Sequence, residues 1–454
     1  MTRTGMFRLQ EQTAEASDAL AAWAAALEYD ILPDPVRRRL PVMLTDLLGV
    51  TLAGMRTPEL DRLVNAWDCP PGDAPLLGTS VRTVPDTAAY LAAVAACSLE
   101  LDEGNKQAAG HPAAHVVFAA MAAARTSDET ITGRRFLTAV AAGYEVAARF
   151  GHATIRDPAW HPHGNWAATG AACASALLHG CSAAATAAAI DASTGLMHVT
   201  PWATVLAGDF TRNLWIAGAN LAGLHAARLA RAGVAGNHGA AANSLGALMG
   251  DLDPDALVGG LGERWLVAEG YLKMHSSCSY THPAVDIVQS LRASRSWQVE
   301  EISRVVVRTN SLARPLLRRH PDTRLAAMFS LPFVVSTAVV SGSVDSRTME
   351  PGSPQFLTAE AFSERVQVEV DETLDALLPD RRCTEVTIEF ADGQFLSLGQ
   401  PNPLGDADHF PLTDEQVMTK LSGLLGSADA ARVGDVVGSL AGAPDAVAAL
   451  DQLV

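Results

Sequence analysis

Apolar positions recur at helical spacing through most of the chain, from residue 14 to about residue 270. The spacing is clear at 35–54, 88–101 and 134–151, where apolar residues return every three or four positions. Gly, Pro and Asp interrupt the pattern between these segments. Many of the apolar residues are alanine, and small side chains let helices approach closely. The pattern therefore predicts a large all-helical domain.

A different pattern begins at about residue 272. Segments 300–310, 365–371 and 383–398 alternate β-branched or apolar residues with polar ones, as strands with one buried face do. The pair Asp392–Gly393 is typical of a tight hairpin turn. Between the first two strands, the apolar segment 325–342 predicts a buried helix. These elements together indicate a small α+β domain.

Helical spacing resumes after residue 412, which predicts that the end of the chain packs back on the first domain. The fold class that follows is mainly α with a smaller α+β domain. We assign residues 1–271 and 405–454 to the helical domain. Residues 272–404 then form an α+β lid domain.

Composition narrows the classes of function. The 454 residues carry a formal net charge of -17, which disfavours binding to nucleic acid or to anionic membrane. An anionic substrate would need a local positive pocket. The six cysteines form no CxxC pair, and neither an apolar signal core nor a run of about 18 apolar residues occurs. We therefore expect a cytoplasmic protein.

Histidines that precede proline are the first candidate chemical groups. Four of the 13 histidines do so: His111, His161, His282 and His320. Proline favours the first turn of a helix, so the first three histidines are predicted at helix N-termini, where the positive dipole keeps imidazole neutral. A neutral imidazole suits proton transfer near pH 7. The alternative is that each ring merely packs at, or caps, a helix entry.

Two cations and two of these histidines suggest carbon-acid chemistry on a carboxylated substrate. Arg212 and Lys273 can bind carboxylates, and His111 and His161 can remove and return a proton on opposite sides of a carbon. The alternatives are a surface arginine, a solvated lysine and packed histidines. No HExxH or similar spacing occurs, so we expect no metal site.

Neighbouring residues extend this set. Glu100, Asp102 and Glu103 either form a solvated face at a helix end or orient His111, since carboxylates commonly select one imidazole tautomer. His163 is a further candidate for substrate binding. His115 lies one turn after His111 on the same helix face, so packing or support of His111 is favoured over catalysis.

Six segments in order resemble one known family. They are AAYLAAVAACSLELDEGNKQAAGHPAAHVVFAA, AAGYEVAARFG, WHPHGNWAATGAACASALL, TVLAGDFTRNLWIAGANLAGLHAARLARAG, KMHSSCSYTHPAVD and AAMFSLPFVVSTAVVSG. Over roughly residues 15–400 the chain resembles the MmgE/PrpD superfamily, which includes 2-methylcitrate dehydratases, cis-aconitate decarboxylases and iminodisuccinate epimerases. The resemblance implies a helical domain with an α+β lid, a homodimer, a pocket between the domains, and no metal or organic cofactor.

The resemblance also implies roles for particular residues. His111 and His161 match the two active-site histidines of the family, and Lys273 matches its lysine. Cys278 falls at a position that is cysteine in many bacterial members, and His282 belongs to the shared THxxxD-like ending. Glu100 and Asp102 occupy the acidic segment, where aspartates are usual.

Three positions depart from the decarboxylase branch. Arg212 stands where that branch has lysine, which keeps a cation but replaces a possible proton carrier with a fork suited to carboxylates. Gly104 replaces a pocket threonine of some members, and Phe333 replaces a pocket tyrosine. These departures argue against identity with cis-aconitate decarboxylase and leave the general chemistry intact.

The leading prediction is a cofactor-independent lyase, a dehydratase or decarboxylase, that acts on a small di- or tricarboxylate. Alternatives are an isomerase or epimerase that uses two histidine bases, and a non-catalytic carboxylate-binding helical protein. Candidate catalytic residues are His111, His161, Lys273, Glu100 and Asp102. Candidate substrate-binding residues are Arg212, His163, His275, Cys278, His282 and Phe333.

Overall fold

The computed structural model describes residues 2–454, and most of them are helical. The α-helices are α1 Arg3–Ala25, α2 Asp34–Met55, α3 Pro58–Ala66, α4 Pro85–Ser98, α5 Pro112–Arg125, α6 Gly133–Ala153, α7 Ala168–Leu178, α8 Ala183–Thr194, α9 Trp202–Leu206, α10 Thr211–Arg231, α11 Pro254–Val258, α12 His282–Ser294, α13 Arg324–Met328, α14 Leu331–Ser341, α15 Pro354–Phe362, α16 Asp414–Leu425, α17 Ser427–Ser439 and α18 Ala446–Leu450. None of these described helices combines the length and apolar character needed to cross a bilayer.

Eight strands complete the fold. They are β1 Ala74–Pro75, β2 Arg82–Thr83, β3 Thr154–Arg156, β4 Gly250–Leu252, β5 Ile302–Thr309, β6 Val366–Val370, β7 Thr384–Phe390 and β8 Phe395–Gln400. The first four form two short antiparallel pairs inside the region predicted to be all helical. The segment around β1 and β2 is rich in Pro and Gly, which do not continue a helix.

The mixed four-stranded sheet has the order β6-β5-β7-β8, with β5 and β6 parallel and the other pairs antiparallel. Alternate residues of β5 and β7 point into a core shared with α12 and α14, while charged residues of β5 such as Arg304 and Arg308 lie on the exposed face. The predicted hairpin at Asp392–Gly393 is confirmed, and Gly393 has the positive φ of 87° that favours glycine. The prediction of a smaller α+β domain is thus confirmed.

The segment predicted as one helix at 325–342 is two helices, α13 and α14. Ser330 ends the first and caps the second, since its Oγ accepts a hydrogen bond from the backbone N–H of Phe333 at 3.2 Å. Pro332 lies in the first turn of α14, where its missing N–H costs nothing. The break leaves Phe329 outside both helices.

The core of the helical domain depends on close contact between helix backbones. An added Cβ on Gly170 of α7 would lie only 2.1 Å from the carbonyl oxygen of Gly143 in α6. The C-terminal helices contact this domain, since Lys420 of α16 donates to Asp46 of α2 at 2.7 Å. The domain bounds at 271/272 and 404/405, the homodimer and the cytoplasmic location stay predictions.

Gly170→Ala should therefore lower the free energy of unfolding by about 1–3 kcal/mol, because a methyl group at this contact forces α6 and α7 apart. Gly438→Ala is the matched control. Gly438 is an exposed glycine of α17, and its added Cβ meets nothing within 4 Å. The control should be neutral or stabilising by about 0.5–1 kcal/mol. Denaturant unfolding measures both, and equal effects would contradict the close helix contact.

Candidate active site

A cavity that is partly open to solvent lies where the helical domain meets the α+β domain, and the space between its atoms is about 380 Å³. The titratable side chains that line it include those of Glu100, His111, His161, His163, Arg212, Cys278 and Arg382. Aromatic side chains complete the walls, namely Trp202, Tyr271, Tyr280 and Phe329. The site is therefore small, partly aromatic and rich in imidazole and guanidinium groups.

His111 lies at the N-cap of α5, as the His-Pro pattern predicted. Its Nδ1 is 2.6 Å from the backbone carbonyl oxygen of Glu103 and 3.2 Å from Oδ2 of Asp102. Both partners are acceptors, so Nδ1 carries the proton and Nε2 has a free lone pair. Burial, with the charge of nearby Lys273, lowers the pKa of His111 well below its usual value. The ring is a neutral base.

His161 has the opposite tautomer. Its Nδ1 accepts a hydrogen bond from the backbone N–H of His163 at 3.3 Å, so in the neutral ring the proton is on Nε2. Burial, followed by the charge of Arg212, lowers the pKa of His161 well below its usual value. At neutral pH the ring therefore offers an N–H donor.

The helix predicted to begin at Pro162 is absent, and α7 begins only at Ala168. His161 lies instead in a loop in which Gly164 has a φ of 80°. Asn165 Nδ2 holds this loop by donating to the backbone carbonyl oxygen of His161 at 2.9 Å. The position of His161 thus depends on loop hydrogen bonds rather than on a helix dipole.

Two further imidazoles surround this pair. The ring of His163 lies 4.7 Å from that of His111 and 4.3 Å from that of His161, and no described residue bonds to either of its nitrogens. His115 is different, because its Nδ1 pairs with the carbonyl oxygen of His111 at 2.7 Å and its Nε2 accepts from the N–H of Gly164 at 3.1 Å. His115 therefore holds the two histidine loops together and does not line the cavity.

A network of buried charged residues lies next to the histidines. Glu100 forms ion pairs with Arg212 and, at 3.2 Å, with Lys273, and Asp102 lies 3.6 Å from Lys273. Burial alone would lower the pKa of Lys273, but the carboxylates of Glu100 and Asp102 outweigh it and raise the pKa. Lys273 is thus a fixed cation. Two cations face two carboxylates, so the network has no net charge.

Family models match both parts of the chain. The MmgE/PrpD N-terminal domain matches residues 18–253, and the MmgE/PrpD C-terminal domain matches residues 275–435. The chain belongs to the MmgE/PrpD family. It is also 23% identical over 435 residues to the cis-aconitate decarboxylase-like protein oryM of Aspergillus oryzae, a match that covers 88% of each chain. The resemblance inferred from the sequence is confirmed.

Six of the predicted site residues line the cavity: Glu100, His111, His161, His163, Arg212 and Cys278. Asp102 and Lys273 lie directly behind Glu100 and His111 and do not line the cavity. Burial raises the pKa of the Cys278 thiol to about 11, so the thiol stays protonated at neutral pH.

Other predicted residues lie outside the lining. His275 Nε2 pairs with Asp286 of α12 at 2.8 Å, and His282 Nε2 pairs with the carbonyl oxygen of Ser277 at 3.1 Å. These bonds hold segment 275–282 against α12. Phe333 packs against Phe356 in the core of the α+β domain, with ring centroids 4.6 Å apart. The three side chains are thus placed to support the fold rather than to contact substrate.

Nine residues of the lining were not predicted as site residues, and they include Arg382 and the four aromatic residues Trp202, Tyr271, Tyr280 and Phe329. The helix break at Ser330 was a usable signal for Phe329, because a Ser-x-Pro sequence favours a new helix start. Tyr280 lies inside KMHSSCSYTHPAVD, one of the six segments that carry the family resemblance. No local pattern marks Arg382, which precedes an ordinary strand.

Among the described residues, Asp406, Asp408 and His409 lie close enough together to ligate a metal. The ammonium of Lys106 already occupies this position, 3.3 Å from Asp406 and 2.6 Å from Asp408. A resident cation would have to displace that ammonium, so the donor set does not fit a metal site.

Glu103 makes the stability of the fold near this site depend on pH. Its carboxyl accepts from the N–H of Ala113 in the first turn of α5 at 3.1 Å and also pairs with the hydroxyl of Tyr144. Burial raises the pKa of Glu103 from 4.5 to about 7. The folded protein therefore binds a proton that the unfolded chain has released. The resulting stabilisation is complete below about pH 4.5 and is lost as the pH rises through about 7.

Glu103→Gln should remove this dependence, because the amide does not titrate and its oxygen still accepts the hydrogen bond from the N–H of Ala113. Relative to the parent, the variant should gain about 2–3 kcal/mol of unfolding free energy between pH 5 and pH 8. Denaturant titrations at the two pH values measure this gain. If the variant and the parent differ in unfolding free energy by the same amount at pH 5 and at pH 8, the raised pKa of Glu103 is contradicted.

Proposed function

We propose that this chain is a lyase, a dehydratase or decarboxylase, that moves a proton at a carbon beside a carboxylate of a small di- or tricarboxylate. Membership of the MmgE/PrpD family supports this reaction type, and so does the similarity to a cis-aconitate decarboxylase-like protein. The observation that carries the proposal is the pair of opposite histidine tautomers at one cavity.

His111 acts as the base in this proposal. Its Nε2 removes the proton beside the carboxylate, and the imidazolium that forms keeps its Nδ1–H on the carbonyl oxygen of Glu103. The carboxylate of Asp102, 3.2 Å from the same nitrogen, offsets the new positive charge. The geometry therefore stabilises the charge that proton removal creates, which is the condition for efficient general-base catalysis.

His161 acts as the electrophilic partner. Its Nε2–H donates a hydrogen bond to an oxygen on which negative charge develops, either the substrate carboxylate or the departing hydroxyl. A neutral imidazole is suited to this task because it needs no prior protonation. In a decarboxylation the proton moves the other way: loss of carbon dioxide leaves an electron pair on carbon, and that carbon takes up one proton, which His111 Nε2 first accepts from solvent.

The charge network has an indirect role. Arg212 lines the cavity, but Glu100 already pairs with it, and its Nη1 donates to the carbonyl oxygen of Cys97 at 3.2 Å. Lys273 lies behind Glu100. Arg212, Lys273 and Glu100 therefore hold one another in position. The Nε of Arg212 has no hydrogen-bond partner, so it remains as a donor for a bound oxygen.

An isomerase or epimerase is the second candidate. His111 and His161 both line the cavity, and each ring contacts that of His163, which brings two imidazoles to one substrate-sized space. A two-base reaction uses that arrangement to remove a proton from one face and return it on the other. It differs from the lyase because no small molecule leaves.

Proton NMR in deuterium oxide separates these functions. The protein is incubated with citrate, 2-methylcitrate, cis-aconitate and an iminodisuccinate analogue in turn, with the His111→Ala variant as control. Stoichiometric loss of water or carbon dioxide supports the lyase. Deuterium in recovered, inverted substrate supports the epimerase. Binding of a carboxylate without reaction or exchange across the whole panel contradicts both and leaves the non-catalytic carboxylate-binding reading.

A further inference from the structure

Arg382 is a buried cation without a carboxylate partner. Four arginines are buried among the described residues: Arg149, Arg212, Arg324 and Arg382. Three of them form ion pairs, with Glu145, with Glu100, and with Glu59 and Glu350. Arg382, which is 5% exposed, pairs with no Asp or Glu of residues 2–454 and lines the cavity.

The surroundings of Arg382 hold its guanidinium in place without neutralising it. Its Nη1 donates to Oγ of Ser279 at 3.3 Å, and its Nε has no partner. The group lies 5.2 Å from the ring of Tyr271 and 5.5 Å from that of Tyr280. Aromatic rings attract a cation, but they leave its charge uncompensated.

The backbone of Arg382 is equally fixed. Its N–H donates to Oδ1 of Asn402 and to the carbonyl oxygen of Pro401, each at 2.9 Å. The side chain therefore starts from an anchored position at the edge of the sheet, directly before β7. A group held in this way needs little further ordering when it binds a ligand.

An uncompensated buried charge is costly, and guanidinium does not lose its proton at physiological pH. A buried, unpaired guanidinium is therefore expected where an anionic ligand binds to it. Its planar N–H groups match the geometry of a carboxylate. In the ion-pair network beside the cavity, the two cations Arg212 and Lys273 are balanced by the carboxylates of Glu100 and Asp102. Arg382 lies outside that network and adds a positive charge to the cavity lining.

We propose that Arg382 binds a second carboxylate of the substrate, one that does not adjoin the reacting carbon. Tyr271, Tyr280 and Ser279 form the walls of this subsite. The proposal rests on the proposed function for the identity of the reacting end. A substrate of this site then needs at least two carboxylates. Arg382 of the α+β domain binds one of them, whereas the histidines that act on the reacting end belong to the helical domain.

Binding of two unreactive probes tests this subsite. Tricarballylate has three carboxylates and no hydroxyl to lose, and butyrate has one carboxylate. Calorimetry should show that Arg382→Gln weakens tricarballylate binding by about 10–100-fold, the range expected for loss of a charged hydrogen bond. Butyrate binding should change less than threefold. Arg382→Lys should recover only part of the loss, because an ammonium cannot form the bidentate contact.

Arg381→Gln is the matched control, since it removes the same charge from an exposed neighbour. It should bind tricarballylate as the parent does. Thermal unfolding gives a second readout: without ligand, Arg382→Gln should melt at or above the temperature of the parent, because an uncompensated buried charge is removed. At one fixed concentration, tricarballylate should raise the melting temperature of the parent and of Arg381→Gln by the same amount and that of Arg382→Gln by less.

Equal tricarballylate affinities for the parent and Arg382→Gln would overturn the proposal, as would equal losses in Arg381→Gln and Arg382→Gln. These outcomes are separate from a failure of the lyase function. If no carboxylate in the NMR panel reacts while the Arg382 effect on binding persists, the subsite stands and the lyase fails. If a carboxylate reacts and Arg382→Gln leaves both Kd and KM unchanged, the subsite alone fails.

Discussion

Replacing His111 with alanine should lower kcat by about 10²–10⁴ while KM changes far less, because the variant loses the base and keeps the carboxylate-binding groups. The side chain of His111 makes no capping hydrogen bond to α5, so the helix should form without it. Steady-state kinetics on the carboxylate identified in deuterium oxide measure the effect, and circular dichroism checks the fold.

His115→Ala is the informative comparison, because His115 lies four residues later on the same helix and does not line the cavity. Both of its ring nitrogens bond to backbone groups. Its loss should therefore lower the free energy of unfolding by about 1–3 kcal/mol. A His111→Ala protein with kcat within tenfold of the parent would show that the base lies elsewhere.

Replacing Glu100 with glutamine should lower the free energy of unfolding by about 3–5 kcal/mol. The change leaves the buried cations Arg212 and Lys273 with Asp102 as their only neighbouring carboxylate. Urea unfolding followed by tryptophan fluorescence measures the loss. The cost arises from stranded charge rather than from shape, since glutamine and glutamate are nearly isosteric.

A double-mutant cycle separates stranded charge from lost packing. Lys273→Met should also destabilise, but Glu100→Gln together with Lys273→Met removes one charge of each sign and leaves Arg212 near Asp102. The double variant should therefore lose less stability than the sum of the single losses, with a coupling energy of about 0.5–3 kcal/mol. Strictly additive losses would contradict the ion pair.

The fold was predictable where local patterns decide the structure. The helices at 35–54, 88–101 and 134–151 correspond to α2, α4 and α6, and the Asp392–Gly393 hairpin joins β7 to β8. Helical spacing and turn chemistry act over a few residues, so one sequence reveals them. The errors came where side chains act against the pattern, as at Ser330, whose cap divides a continuous apolar segment.

The site was predictable only in part. The position of His111 at the start of α5 was predictable because Pro112 follows it. In that position its ring also lies near the acidic segment, 3.2 Å from Asp102. The same argument was wrong about a helix at His161, because loop hydrogen bonds from Asn165 decide that backbone. Phe329 and Phe333 are four residues apart on one apolar segment and both are buried, yet only Phe329, which lies outside α13 and α14, lines the cavity.

The sequence by itself determined the two kinds of domain, the helix entry beside His111 and the need for a local cationic site in an acidic protein. Only the tertiary structure decided which cations are free. Glu100 neutralises Lys273 across 173 residues of sequence, whereas Arg382 reaches the cavity without a carboxylate. Protonation, burial and charge pairing depend on neighbours that are distant along the chain, since electrostatic energy is set by separation in space and by exclusion of water.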